Sequence, residues 1–161
     1  MERAQDCIDF EYMQLAVEDY AGDYTWRFYT TNSKDGYETR LFRFEGDETG
    51  LPIDNQWSQG PVLLYNTATR DCKSWFTESL SAEMDSIPKQ LFDAGYDVWI
   101  GCKRGSIYSH LHRTPFEGDV PEPTIKPNVL KHSDEEEEEF WDFNTGTIGE
   151  YEIPKMVAKI Q

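Results

Sequence analysis

Basic residues are scarce in this sequence. Fifteen Lys and Arg stand against 31 Asp and Glu, a formal net charge of −16. Phosphate contacts need clustered cations, so the balance argues against nucleic acid as a partner. It argues against anionic membrane surfaces for the same reason. Hydrophobic runs are short. None approaches the length of a bilayer span, so no transmembrane segment is expected. The opening MERAQDCIDF places acids early and carries no apolar core, which reads as no secretory signal. Cysteine is sparse too: Cys7, Cys72 and Cys102, an odd count with no CxxC spacing. That argues against a disulfide framework or a zinc site and predicts free thiols in an intracellular, reducing compartment, cytoplasmic or organellar. Cys72 sits beside Lys73, a cation able to lower a thiol pKa, but no His partner is apparent; an inert free thiol is expected.

Catalytic signatures are absent as well. The sequence contains no GxSxG, HExxH, P-loop or GxGxxG. His110 and His112 in SHLHR would share one face of a strand, yet no Cys or nearby Asp completes a metal set. They read as exposed polar residues, and His132 as a solvated one. Glu135 to Glu139 form a flexible acidic run that enforces no ligand geometry. No metal, cofactor or catalytic residue is therefore assigned. One stretch comes near a catalytic signature without completing it. Gly101-Cys102-Lys103-Arg104-Gly105 follows an apolar run and has the outline of a nucleophile elbow, with Lys103 where serine would stand.

What is present is the material of a folded core. The 161 residues are 38% hydrophobic and 14% aromatic, enough to bury one domain. Ile8, Tyr12, Leu15 and Ala16 at helical spacing predict a helix over residues 4–19. Trp26 and Phe28, then Leu41 and Phe42, flank a Lys34-Asp35-Gly36 turn and predict a hairpin. Residues 61–65, PVLLY, form a short apolar run of the kind found in parallel sheets. Residues 67–75 read as loop. Residues 83–94 read as a helix, with Ser86 near its start, Pro88 in its first turn and Gly95 at its stop. YDVWIG follows as another strand. Strand, helix, strand is a βαβ unit with a parallel pair. Pro115, Pro121, Pro123 and Pro127 precede SDEEEEE, so residues 117–139 read as a solvated Pro/Glu-rich acidic loop. At the end, Thr147 and Glu150 have capping-box spacing. Ile153, Met156, Val157 and Ile160 then make one apolar helical face, with Pro154 in its first turn or at a kink.

Four segments together resemble one family, the acid lipases of the gastric and lysosomal type. YTTNSKDGYETRLFRF is similar to that family's V-x-T-x-D-G-Y-x-L-x-L-x-R-I, with Asp35-Gly36-Tyr37 and Arg43 in register. GPVLLYNTATRDCKSWF resembles G-P-x-V-x-L-x-H-G-L followed by S-W. LFDAGYDVWIGCKRGSIYS matches L-x-D-x-G-Y-D-V-W-x-G-N-x-R-G-x-x-Y-S nearly throughout, and EEFWDFNTGTIGEYEIP is close to the pattern ending Y-D-L-P. The resemblance covers roughly residues 23–161, leaving 1–22 as an N-terminal helical segment.

The resemblance implies an α/β fold, the N-terminal half of an α/β-hydrolase, and lipid-ester hydrolysis as the family activity. It places the Gly101–Gly105 turn after the fourth strand, upstream of the family's elbow, so Lys103 replaces a residue that is not the nucleophile. It implies a backbone oxyanion donor in the His-Gly-Leu segment after the third strand. Here those positions are Asn66, Thr67 and Ala68, and none matches. A β-branched Thr67 in place of glycine disfavours unusual backbone geometry there. Serine, aspartate and histidine of the triad have no counterpart in these residues. The family's sheet would leave the third strand with one open edge. The expectation is a non-catalytic, lipase-derived structural subunit, its sheet completed by a protein partner carrying the C-terminal half, within a larger assembly. One half of a split active esterase and a truncated lipase are the alternatives; lipid remains a candidate ligand class.

Overall fold

The structure is a computed structural model that describes residues 24–46, 58–66, 72–77, 86–106, 108–109, 111–112 and 141–161. The expected helix over 4–19, Thr67, Ala68, His110, His132 and the 117–139 loop lie outside the described residues.

The hairpin forms as the sequence predicts. β1 (Thr25–Asn32) and β2 (Tyr37–Gly46) pair antiparallel, in register from Asn32 opposite Glu38 back to Trp26 opposite Phe44. β2 then pairs antiparallel with β4 (Tyr96–Cys102), and β4 pairs parallel with β3 (Gly60–Tyr65). The strand order is β1-β2-β4-β3, with the two-residue β5 (Leu111–His112) beside the start of β2. The sheet is mixed: an antiparallel hairpin joined to one parallel βαβ pair.

Among the described residues between β3 and β4 are two short helices, α1 (Ser74–Thr77) and α2 (Ile87–Asp93). Ser74 and Trp75, expected within the 67–75 loop, belong instead to α1. Its aromatic side chains supply the reason, since Phe76 is buried and stacks 5.9 Å from Phe44. Ser86 stands at the N-cap position of α2 and Pro88 lies in its first turn. Gly95 stops the helix with φ +89, a left-handed conformation natural to glycine.

Strand alternation sorts the core onto two faces. Phe42, Phe44, Val98, Ile100 and Cys102 point to one face, where Cys72, Phe76, Phe92 and Tyr108 cover them. Leu41 and Trp99 point to the other, covered by Met156 and flanked by Leu63, Tyr65 and Ile160. Gly101 lies on this second face because nothing larger fits. A Cβ there would lie 2.8 Å from the Tyr65 ring and 2.9 Å from the Met156 sulfur.

The final helical segment starts differently from expectation. Thr147 is not its N-cap. Asn144 is: its side-chain oxygen accepts from the Gly146 N–H at 2.8 Å and the Thr147 N–H at 3.2 Å. Thr147 closes the box from the third position, its hydroxyl accepting from the Asn144 N–H at 3.0 Å. α3 (Thr145–Thr147) leads into a π-helical turn (Ile148–Glu152) and then α4 (Ile153–Ile160). Pro154 sits at the start of α4, directly after the π-helical turn. Met156 is fully buried, but Val157 remains 40% exposed, so the apolar face is only partly covered.

The cysteines correct the sequence reading. Cys72 and Cys102 form a disulfide, with Cα atoms 4.9 Å apart and a sequence separation of 30. Cys72 is therefore not a free thiol. Its neighbour in space is set by the parallel pairing, which returns the chain after β3 to the end of β4. Spacing rules read along the chain do not register that proximity.

Candidate functional site

The carboxyl ends of β3 and β4 lie side by side, Tyr65 opposite Gly101 in the parallel register. In open α/β sheets this is the end that carries ligand sites. Two segments leave it: Asn66 onward from β3, and Lys103 onward from β4.

The Lys103 segment is not an elbow. A nucleophile elbow leads from strand into helix. Here the chain turns back on itself: Ser106 N–H donates to the Lys103 carbonyl at 3.2 Å, and Gly105 N–H to the Ser109 carbonyl at 2.8 Å. Ser109 then ties the turn to the sheet. Its hydroxyl donates to the Cys102 carbonyl at 2.7 Å and accepts from the Arg40 N–H at 2.9 Å. Gly105 has φ +77, and a Cβ on it would fall 2.4 Å from the Trp141 ring. The turn accordingly keeps glycine at this position and stacks Trp141 over it.

Arg104, within this turn, is the organising residue. Its side chain is fully buried and donates Nε–H to Glu152 Oε2 at 2.8 Å, with Glu152 equally buried. The far end of the guanidinium forks onto both carboxylate oxygens of Asp35, NH2 to Oδ1 at 3.2 Å, and lies 4.0 Å over the Tyr37 ring. Tyr65 donates its hydroxyl to Glu152 Oε1 at 2.7 Å. One cation thus gathers the hairpin turn, β2, β3 and the π-helical turn. Burial by itself would lower the Arg104 pKa; its hydrogen bonds to Asp35 and Glu152 outweigh burial and raise it. Asp35 shows the mirror case: burial raises it, and the Arg104 and Ser33 hydrogen bonds with the Arg104 charge bring it below the ordinary carboxylate value. Tyr65 is pushed far above a normal phenol, by burial first and then by the Glu152 charge and hydrogen bond. The chemistry of this cluster is structural: each acid has a committed donor.

A second pair stands on the same face of the sheet. Arg43 donates to both oxygens of Asp97 at 2.8 and 3.2 Å and packs 4.7 Å over Trp99. Sequence reading singled out neither cluster as a unit. The signal was there, though. Asp35, Arg43, Arg104 and Glu152 all fall in segments that resemble one family.

Of the three oxyanion positions read from the resemblance, Asn66 is described. It follows β3 directly, half-buried, and its Nδ2 donates to the Ser74 hydroxyl at 2.6 Å. Thr67 and Ala68 lie outside the described residues. Asn66 and Lys103 are brought to the same sheet end, while the side chain of His112 is not described. Among the described residues no group of three or more His, Cys, Asp or Glu could hold a metal ion. No described helix is long and apolar enough to cross a membrane.

No family model matches the chain. Curated lipases do. It is 30% identical over 137 residues to Lipase lipl-1 of Caenorhabditis elegans, which covers 84% of this chain and 28% of that protein. It is 31% identical over 126 residues to Probable lipase C14C8.15 of Schizosaccharomyces pombe, covering 78% of this chain and 23% of the other. With human Lysosomal acid lipase/cholesteryl ester hydrolase the identity is 27% over 132 residues, 80% of this chain and 27% of that one. The relatives imply an α/β-hydrolase fold, and the mixed sheet with its parallel β3–β4 pair is a partial one. Within that class the chain is acid lipase-like and corresponds to the N-terminal portion of the family. It spans about a quarter of the length of these relatives.

Proposed function

We propose that this chain is a non-catalytic, lipase-derived structural subunit. A protein partner carrying the rest of the hydrolase fold completes its sheet by adding a strand along the outer edge of β3, within a larger assembly. The observation that carries this reading is the position of β3. Among the described residues it pairs only with β4, and its residues are half-buried or exposed while Asp97 to Cys102 of β4 are buried. An apolar strand with an open edge is a template for strand addition. Val157, exposed on the face meant to be covered, supports the same conclusion.

The non-catalytic part rests on the site residues. Asn66-Thr67-Ala68 departs from His-Gly-Leu at each position. Loss of selection on catalysis accounts for that departure. The alternative reading, one half of a split active esterase acting on lipid esters, uses the same open edge and differs only in what the partner brings.

Affinity purification of the full chain from its own cells, followed by identification of stoichiometric partners and an assay on a short-chain ester, tests the reading. The expected result is a stoichiometric polypeptide with the C-terminal part of the fold and no ester hydrolysis. Hydrolysis by a pair whose partner holds an intact GxSxG overturns the non-catalytic role. A monodisperse, cooperatively folding lone chain overturns strand completion. An open reading frame that continues in register into an elbow replaces the partner by the same polypeptide.

A further inference from the structure

We infer that the Cys72–Cys102 bond is an oxidatively installed brace that holds the β3–α1 connection against the end of β4, and that the chain matures where a disulfide oxidant is present. The placement supplies the first argument. Cys102 is the last residue of β4, and Cys72 stands two residues before α1 on the segment that leaves β3. The Trp75 N–H donates to the Cys72 carbonyl at 3.3 Å, and Asn66 reaches Ser74 at 2.6 Å, so the bond anchors both ends of the described connection. The carboxyl end of the parallel pair is fixed covalently at this point. Cys102 stands where the acid-lipase pattern has asparagine, so the brace is a departure of this chain from that pattern.

Burial supplies the second argument. The two cysteines are 1% and 0% exposed and lie in the main core with Phe76, Phe92, Val98 and Ile100. Reduction requires a thiolate to approach a sulfur directly, and the core blocks that approach. The bond forms by exchange with a small disulfide, RSSR. Each cysteine thiol gives up its proton, the two sulfurs join, RSSR takes the electron pair, and two RSH leave. Such an oxidant operates in oxidising compartments and is opposed in reducing ones. This reverses the compartment expected from the cysteine count. The inference rests on the two cysteines and the core around them, independently of any completing partner.

The test uses the full chain folded in an oxidised/reduced glutathione buffer. Alkylation of that protein after denaturation without reductant, read by mass, is expected to label at most one thiol, Cys7, and to label three after denaturation with a dithiol. Hydrogen exchange then compares this protein with C72S/C102S. Loss of the brace is expected to speed exchange in residues 72–77 by about 10²–10³-fold, the factor that loop-closure entropy assigns to a ring of this size. The β1–β2 hairpin is expected to change by less than about tenfold, because local opening leaves the rest of the sheet paired. Labelling of Cys72 and Cys102 in the denatured, unreduced chain overturns the inference, as does undiminished protection of residues 72–77 in the double variant. Should that variant fail to fold, the thiol count decides alone.

Discussion

Replacing Glu152 by leucine tests the account of the Arg104 cluster most directly. Both side chains are fully buried and meet at 2.8 Å. Glu152 also accepts the Tyr65 hydroxyl at 2.7 Å and lies 3.3 Å from the Arg104 N–H. Leucine keeps most of the volume and removes every acceptor. Asp35 remains with the guanidinium, but its side chain is 27% exposed and faces the opposite end. Removing one partner of a buried ion pair costs about 3–5 kcal/mol. The orphaned Tyr65 hydroxyl, at about 1–3 kcal/mol, is part of that figure and not an addition to it. For a domain stable by about 5–15 kcal/mol, the loss is a large fraction of the whole. Urea unfolding followed by the fluorescence of Trp75 and Trp99 reads it out. With a slope near 2 kcal/mol/M, the midpoint is expected to fall by roughly 1.5–2.5 M. The double variant Glu152→Leu/Arg104→Met removes the stranded charge together with its partner and is expected to be more stable than Glu152→Leu alone. A loss below about 1 kcal/mol, or a double variant equal to the sum of the singles, refutes the claim that a buried pair organises these segments.

Three further outcomes follow from the same structure. Reducing the Cys72–Cys102 bond, or replacing both residues by serine, is expected to cost about 3–4 kcal/mol in the chain-entropy description of a separation of 30 residues, read as a lower urea midpoint. The carboxyl of Asp35 titrates below its ordinary value of 3.8 in the folded chain. Its ionised form therefore contributes stability above that value, and the contribution is lost as pH falls through the lower folded value. The stability gap between the native chain and Asp35→Asn is expected to shrink from about pH 5 to about pH 2, and a constant gap contradicts the assignment. Gly105→Ala forces a left-handed residue to carry a Cβ 2.4 Å from the Trp141 ring. The expected cost is about 1–3 kcal/mol with a changed Trp141 emission, whereas an unshifted spectrum and midpoint count against the stacking described.

Local signals carried much of the fold. The Lys34-Asp35-Gly36 turn between alternating aromatic runs defines the hairpin, and Pro88 with Gly95 brackets α2. Two short apolar runs around that helix define the parallel pair. What escaped the sequence depends on distances across the chain. Arg104 and Glu152 are 48 residues apart, and Cys72 and Cys102 are 30 apart. No periodicity links either pair. The helix start at Asn144 escaped for a different reason: Thr147 and Glu150 satisfy the same spacing rule, and only the backbone distinguishes two valid boxes. At the candidate site, Asn66 was legible through the family resemblance alone, since nothing in a carboxamide after a strand announces an oxyanion position.

The π-helical turn at Ile148–Glu152 sets a phase. Relative to an α-helix it holds one extra residue, and each helical residue corresponds to about 100° of rotation. Asn144 caps on one side of that turn, while Glu152 and Met156, four residues apart, reach inward on the other. A regular helix through the same sequence would leave either the cap or the inward pair misdirected by more than a quarter turn. Deleting a single residue between Ile148 and Tyr151 is therefore a rotational change, more severe than any substitution in the same stretch. The turn works as a dial, set by one residue, that aims the acid at the arginine and the sulfur at the gap above Gly101.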